Sequence, residues 1–212
     1  MYSAMKHSKQ MKSRKSTGPD GMPAEAIKHA GRLLAVHLTL LFNMCLCGSY
    51  MPTNLTQTTL VPLLKNKSGD VTDINSYRAI ALSTCLSKLF EFLILTCCKS
   101  HDMCHDDDYQ FVYKKDHSTS LGRATLKHVV DYYRSNGSYV SACFLDLSKA
   151  FASVDHVCLF RQLLKLKLPE NVIKLLIDWY SNQLMNVRWK YIQSGSFYMK
   201  NGTRHCVHAL CY

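Results

Sequence analysis

The apolar run Tyr139–Leu147 (YVSACFLDL), entered through Asn136-Gly137, constrains the fold of this chain more than any other stretch. A continuous apolar run bounded by turns predicts a central strand covered on both faces. A single acid interrupts it near its carboxyl end, Asp146. Helical periodicity on either side makes the expected cover. Leu86, Leu89, Phe90, Leu93 and Ile94 recur at i, i+3, i+4 within Ser83–Lys99, and Val157, Phe160, Leu163 and Leu164 mark a later helix. The class expected is therefore mixed α/β.

The other expected elements follow from local signals. Ser16–Pro23 (STGPDGMP) is a turn-rich loop, followed by a helix over Ala24–Cys47 with Ile27, Leu34, Leu38 and Leu41 near one face. Two strand-like pieces surround a Gly-Asp loop in 59–82. Ser118 or Thr119 caps a helix running to about Arg134. Pro169 opens a last helix whose inward face is Val172, Ile173, Leu176, Ile177 and Tyr180. Val187–Met199 alternates around Ser194-Gly195, a hairpin pattern.

Composition narrows the classes. Nearly half of the 212 residues are hydrophobic, enough for a substantial core. The net charge of +11 favours polyphosphate chains or anionic surfaces as partners. Lys6, Lys9, Lys12, Arg14 and Lys15 form an acid-free amino end, readable as a solvated tail or as a nucleic-acid arm. The ten cysteines contain no C-x-x-C pair. The amino end is polar and lysine-rich, unlike a signal peptide, so reduced, mostly buried thiols are expected rather than a secreted disulfide scaffold. Leu33–Cys47 reads as a core helix too short to span a bilayer. The segment 101–108 (HDMCHDDD) has metal-like composition without a recognised ligand spacing, and a solvated loop is expected there.

An ionised Asp146 at the end of a buried strand is costly unless it is paired, caps a turn or holds a metal. Two-metal catalysis places ions roughly 3.5–4 Å apart and needs more than one carboxylate. Hard divalent ions take oxygen ligands, carboxylates and substrate phosphates together.

Four motifs in order now carry a resemblance. FLDLSKAFASVDH, 144–156, is similar to the first catalytic motif of reverse transcriptases from non-LTR (LINE-type) retrotransposons, an apolar strand followed by Asp-x-x-x-Ala-Phe-Asp. KSTGPDGMPAEAIK, 15–28, resembles that family's K-x-x-G-x-D-G motif. LVPLLKNKSGDVTDINSYRAIAL, 60–82, resembles its P-[IL]-x-K-x-G-[DS] and Y-R-P-I-x-L block. YQFVYKKDHST, 109–119, resembles Q-x-G-[FY]-x-x-x-x-S-T.

The resemblance implies a helix-rich α+β right-hand polymerase with a small antiparallel sheet. Residues 1–137 would be an amino-terminal extension and fingers, and 138–212 a partial palm. Its substrates would be an RNA template, a DNA primer and deoxynucleoside triphosphates, with Mg²⁺ or Mn²⁺ as cofactor. The protein would be intracellular, nuclear or cytoplasmic, with no membrane segment. Asp146 matches the first metal-binding carboxylate, and the Leu147 carbonyl a further ligand. Phe151 matches the aromatic that excludes a ribose 2′-hydroxyl. Lys65 and Arg78 match the basic residues meeting the incoming triphosphate, a point charge and a fork onto phosphate oxygens. Gln110, Ser118 and Thr119 match the motif at the boundary of fingers and palm, where template or backbone contacts are expected. Lys114 and Lys115 would join Lys65 and Arg78 in a basic fingers surface that binds nucleic acid.

Departures qualify the activity. Ala152 stands where the family has Asp, Ala79 where it has Pro in a turn, and Val112 where it has Gly. In 201–212 Arg204 is kept, but His205 replaces the Gln that shapes the nucleotide pocket. No [FY]-x-D-D motif occurs in the sequence, so the chain reads as a family domain truncated within the palm and inactive alone. The alternatives are a non-catalytic RNA- or DNA-binding module and a relic of a decayed element.

Overall fold

The computed structural model describes residue 9 and residues 11–66, 68–100, 109–111, 117–146 and 154–198. The expected helix over Ala24–Cys47 is two helices, α1 (Ala24–His29) and α2 (Gly31–Gly48). The break falls at Gly31, whose φ of +76° lies where only glycine is unstrained. Helix α2 buries Ala35, Leu38, Phe42 and Cys45, an i, i+3, i+7, i+10 stripe. Ser49, at φ +49°, ends it. Contrary to the reading of 33–47, α2 is long and apolar enough to cross a membrane. In this fold its inner stripe lies in the core, while Leu33, Leu40 and Met44 face outward.

After the short α3 (Thr53–Thr56) come β1 (Gln57–Leu64), a 3₁₀ turn at Ile74–Ser76, β2 (Tyr77–Ser83) and α4 (Cys85–Ser100). Helix α5 (Thr119–Ser135) follows, then α6 (His156–Lys165), α7 (Glu170–Ser181), β3 (Leu184–Trp189), β4 (Ile192–Gln193) and β5 (Phe197–Tyr198). The main core joins α1, α2, α4 and α7. Its centre is an aromatic stack: the Phe42 and Phe90 rings lie 4.6 Å apart, and Phe90 and Trp179 lie 6.0 Å apart. These are favourable offset spacings. Several polar groups inside are satisfied. Thr84 and Ser87 share a hydroxyl hydrogen bond, Ser87 Oγ donates to the Leu55 carbonyl, and Met51 N–H donates to Asp178 Oδ2 at 2.8 Å.

Two details of the helix pattern differ from expectation. Pro169 is the N-cap of α7 rather than its first-turn residue. The inward face is rotated by about one position, so Leu175 and Trp179 are buried whereas Ile177 is 41% exposed. The thiols are also less buried than expected. Among the described residues Cys45 and Cys85 are buried, Cys97 and Cys98 are half-buried, and Cys47, Cys143 and Cys158 are exposed.

The sheet runs β2-β1-β3-β4, with β5 also on β3. It is mixed rather than wholly antiparallel, because β1 pairs β3 in parallel while the other ladders are antiparallel. The last hairpin does not turn at Ser194-Gly195. It turns at Lys190-Tyr191, between the pair Trp189–Ile192, and Lys190 takes φ +53°. Ser194 instead donates its N–H to the Val187 carbonyl and accepts Val187 N–H on Oγ.

The largest correction concerns the apolar run. Residues 138–146 form no strand, and Phe144 and Leu145 are 81% and 93% exposed. Strand formation requires a ladder partner. β1 is flanked on both edges by β2 and β3, and β3 carries β4 and β5 on its other edge. The run joins none of these ladders among the described residues. Helix α5 is correctly capped, with Ser118 Oγ accepting from Leu121 N–H, yet no residue of it is buried.

Candidate nucleotide and nucleic-acid site

The loop carrying G-x-D-G is a structural device. A Cβ on Gly18 would strike the Ser83 carbonyl and come within 2.9 Å of Thr84 Cα, so the chain passes too close to the end of β2 for any side chain. Gly21 donates its N–H to the Gly18 carbonyl at φ +65°, and Asp20 Oδ1 accepts Met22 N–H. The motif thereby fixes the amino-terminal segment against the β2–α4 junction. Gly18→Ala is expected to cost roughly 1–3 kcal/mol in urea denaturation, since backbone rather than a mobile side chain must give way.

Lys65 and Arg78 lie on the β1–β2 hairpin that this junction supports. Arg78 stands opposite Leu63, and Lys65 N–H donates to the Ser76 carbonyl at 2.9 Å, extending the ladder. Alternation therefore puts Lys65 and Arg78 on the same sheet face as diagonal neighbours, about 7–8 Å apart at Cα. Both are exposed. Lys65 Nζ donates to the Asn75 carbonyl at 2.7 Å, which seats it over the loop. The loop's acids are engaged with their own backbone. Asp70 Oδ1 accepts from Thr72 Oγ1 and N–H, which holds its carboxyl below the ordinary range. Asp73 Oδ1 accepts from Asn75. The arrangement presents two cations to solvent for a polyphosphate.

Ala79 is not in a turn. It sits within β2 opposite Pro62, and because the Lys65–Ser76 pair is hydrogen-bonded, Pro62–Ala79 is a non-bonded pair. No ladder hydrogen bond between these strands is asked of the Ala79 N–H, and Pro62 has none to give. A proline at position 79 would therefore break no bond of the β1–β2 ladder.

Gln110 is exposed, and Phe111 beside it covers Gly122 of α5, where a Cβ would lie 3.1 Å from the Phe111 ring. Ser118 is the N-cap of α5 and Thr119 its first residue. These three thus form one local unit at the start of α5. Asp146 is exposed at the end of the unpaired run and makes no hydrogen bond or ion pair among the described residues. Leu147, Phe151, Ala152, Lys114, Lys115, Val112, Arg204, His205 and the segment 101–108 lie outside the described residues.

The sequence reading missed Arg188, Trp189 and Asn186 on β3. Trp189 contacts Tyr77 of β2 with ring centres 5.0 Å apart. Asn186, opposite Thr59, is buried with Oδ1 unpartnered. The parallel β1–β3 pairing joins segments more than a hundred residues apart, and no local signal could have shown it.

A family model described as reverse transcriptase (RNA-dependent DNA polymerase) matches residues 64–205. The chain belongs to the reverse transcriptase family. Its relatives point to the non-LTR, LINE-type branch that the motifs suggested. It is 28% identical over 198 residues to a retrovirus-related Pol polyprotein from the type-1 retrotransposable element R1 of Bradysia coprophila, covering 92% of this chain and 19% of the relative. It is 28% identical over 164 residues to a probable RNA-directed DNA polymerase from transposon BS of Drosophila melanogaster (74% and 18%). Over 151 residues it is 28% identical to an RNA-directed DNA polymerase from mobile element jockey of Drosophila funebris (69% and 16%). The chain spans less than a fifth of the length of these curated relatives. As a class, reverse transcriptases act on nucleic acid and use divalent metals. The described residues do not by themselves fit a two-ion site: no group of three metal-ligating side chains occurs among them, and Asp146 stands as a lone exposed carboxylate.

Proposed function

We propose that this reverse transcriptase chain supplies fingers from residues 1–137 and the first part of the palm from residues 138–212, and that it handles an RNA template, a DNA primer and deoxynucleoside triphosphates. The observation that carries this reading is the β1–β2 hairpin. It offers Lys65 and Arg78 from one face, beside a loop whose aspartates are occupied by their own turns. The core draws on both sides of residue 137, so the division is one of function and not of separate folding units. Asp146 would contribute one oxygen ligand to Mg²⁺ or Mn²⁺. Phe151, Leu147, Arg204 and His205 keep the roles their motif positions imply, and Gln110, Ser118 and Thr119 those at the boundary of fingers and palm, with Lys114 and Lys115 in the basic fingers surface. Residence in the nucleus or cytoplasm follows from the same reading.

The lone, exposed Asp146 favours a second reading for the isolated 212-residue chain, nucleic-acid binding without chemistry. Two assays separate the readings. In primer extension with Mg²⁺ and an RNA template, the purified chain is expected to give no template-dependent product. Such product above a heat-denatured control would overturn the inactivity. In anisotropy with a labelled RNA–DNA template–primer, affinity is expected to fall steeply with salt. Joint replacement of Lys65 and Arg78 by Ala is expected to lower the slope of log K against log salt by about two. An unchanged slope would remove both residues from phosphate contact.

A further inference from the structure

The tip of the β3–β4 hairpin combines features that the polymerase motifs do not use. Its sequence, Arg188-Trp189-Lys190-Tyr191-Ile192, alternates cations and aromatics, and no acid occurs in 184–198. Trp189 is 43% exposed and Tyr191 fully exposed. Trp189 is not loose. Its ring rests on Tyr77 at 5.0 Å and 59°, and Tyr77 is itself anchored by its hydroxyl donating to the Val71 carbonyl at 2.9 Å. The turn holds Lys190 at φ +53°, where glycine would be unstrained. The fold thus keeps a charged side chain in a position that disfavours it, a pattern found at functional sites. Along β3 the alternation that pairs Thr59 with Asn186 sets Arg188 on the same face as Arg78 and Lys65. The cations of the two hairpins therefore form one continuous positive edge, two strand spacings or about 10 Å across.

We propose that this tip is a stacking platform for single-stranded nucleic acid. Bases lie on Trp189 and Tyr191, and the phosphates between them run over Arg188 and Lys190. The proposal rests on the reading of the chain as a nucleic-acid-handling domain and adds a subsite to it. Every base has a π-face, so such a platform is tolerant of sequence, whereas a duplex buries those faces and gains little. By the same alternation Trp189 and Tyr77 project from the opposite face of the sheet. The hairpin thus carries its cations on one face and a fixed indole on the other, and a strand crossing the tip meets both.

The chain holds two tryptophans, and Trp179 is 8% exposed in the core, so quenching by an added oligonucleotide reports Trp189. The test titrates the full 212-residue chain with a labelled oligo-uridylate, a duplex RNA of equal length and anionic phospholipid vesicles. Quenching by the single strand is expected, with binding at least about 10-fold tighter than to the duplex. Tyr191→Ala, at a fully exposed side chain, is expected to weaken single-strand binding roughly 5- to 100-fold, and Trp189→Ala likewise. Trp189→Phe should retain most of it, which guards against a mere loss of folding. If the chain binds the oligonucleotide but Tyr191→Ala and Trp189→Ala bind as wild type, the platform is wrong while the polymerase reading stands. Equal affinity for duplex, or binding to vesicles only, would also overturn it. Loss in the Lys65 and Arg78 double variant, with the hairpin variants unaffected, would assign the binding to the β1–β2 hairpin instead.

Discussion

Phe90→Ala should come close to unfolding the chain. Phe90 is fully buried and stacks on Phe42 from α2 and Trp179 from α7, so one ring ties three helices together. Truncating a buried Phe costs about 3–5 kcal/mol through lost transfer energy and the cavity left behind. That is a large share of the roughly 5–15 kcal/mol that holds a domain folded. In urea denaturation followed by circular dichroism, the midpoint is expected to collapse towards zero denaturant. Leu121→Ala, on the exposed face of α5, should stay within about 0.5 kcal/mol of wild type. A Phe90→Ala loss below about 1 kcal/mol would contradict the placement of the stack at the centre of the core.

Glu91→Gln is expected to act in the opposite direction. Glu91 is buried beside this stack, and burial pushes its carboxyl up to about 8 from an ordinary value near 4.5. Lys88, one turn earlier, offsets only part of that rise. Below pH 4.5 the group is protonated whether the chain is folded or unfolded, and it costs nothing. Between 4.5 and 8 the unfolded chain releases the proton while the folded chain keeps it, so stability falls as pH rises. Above 8 both states are ionised and the penalty is constant. At pH 7 it is about 3 kcal/mol, at 1.36 kcal/mol per unit. Gln keeps the shape and removes the titration. The variant should therefore gain up to about 3 kcal/mol at pH 7, a rise in Tm of roughly 6–12 °C for a chain of this size. It should match wild type near pH 4. A variant whose gain does not grow between pH 4 and 8 would contradict the buried, unpaired carboxylate.

Legibility in the sequence followed the range of the interactions involved. Ser118 as a cap, the β1 and β2 pieces around Gly69-Asp70, and α4 were visible because caps, turns and helical periodicity act within a few residues. Trp179 was missed because the apolar positions of α7 fit two faces about one residue apart. Only the stack on Phe90 selects between them. The run Tyr139–Asp146 shows what a hydrophobic pattern reports. It records a demand for burial, but a strand also needs an edge to pair with, and the sequence does not say which edge is free. The hairpin turn failed for the converse reason. Ser194-Gly195 is the better local turn signal, but the pairing of Trp189 with Ile192 and of Phe197 with Met185 forces the reversal to Lys190-Tyr191.

The candidate site divides the same way. Lys65, Arg78 and Asp146 were found through motifs, without their geometry. The structure brings Lys65 and Arg78 onto one face and sets Asp146 on a separate, exposed segment. Gly18 and Gly21, motif residues that invite a chemical role, are explained by close backbone approach and positive φ. Arg188 and Trp189 became visible only through the parallel register of β1 and β3.

The central claim is that the β1–β2 hairpin meets the triphosphate of an incoming nucleotide. It is tested most directly by photo-crosslinking. The purified chain, with RNA–DNA template–primer and Mg²⁺, would be irradiated in the presence of a deoxynucleoside triphosphate carrying a photoreactive γ-phosphate, and the labelled peptide identified by mass spectrometry. The account predicts label within residues 59–82, competed by unmodified deoxynucleotide and lost when Lys65 and Arg78 are replaced by Ala. Competable label confined to other peptides, or label indifferent to that double replacement, would contradict it.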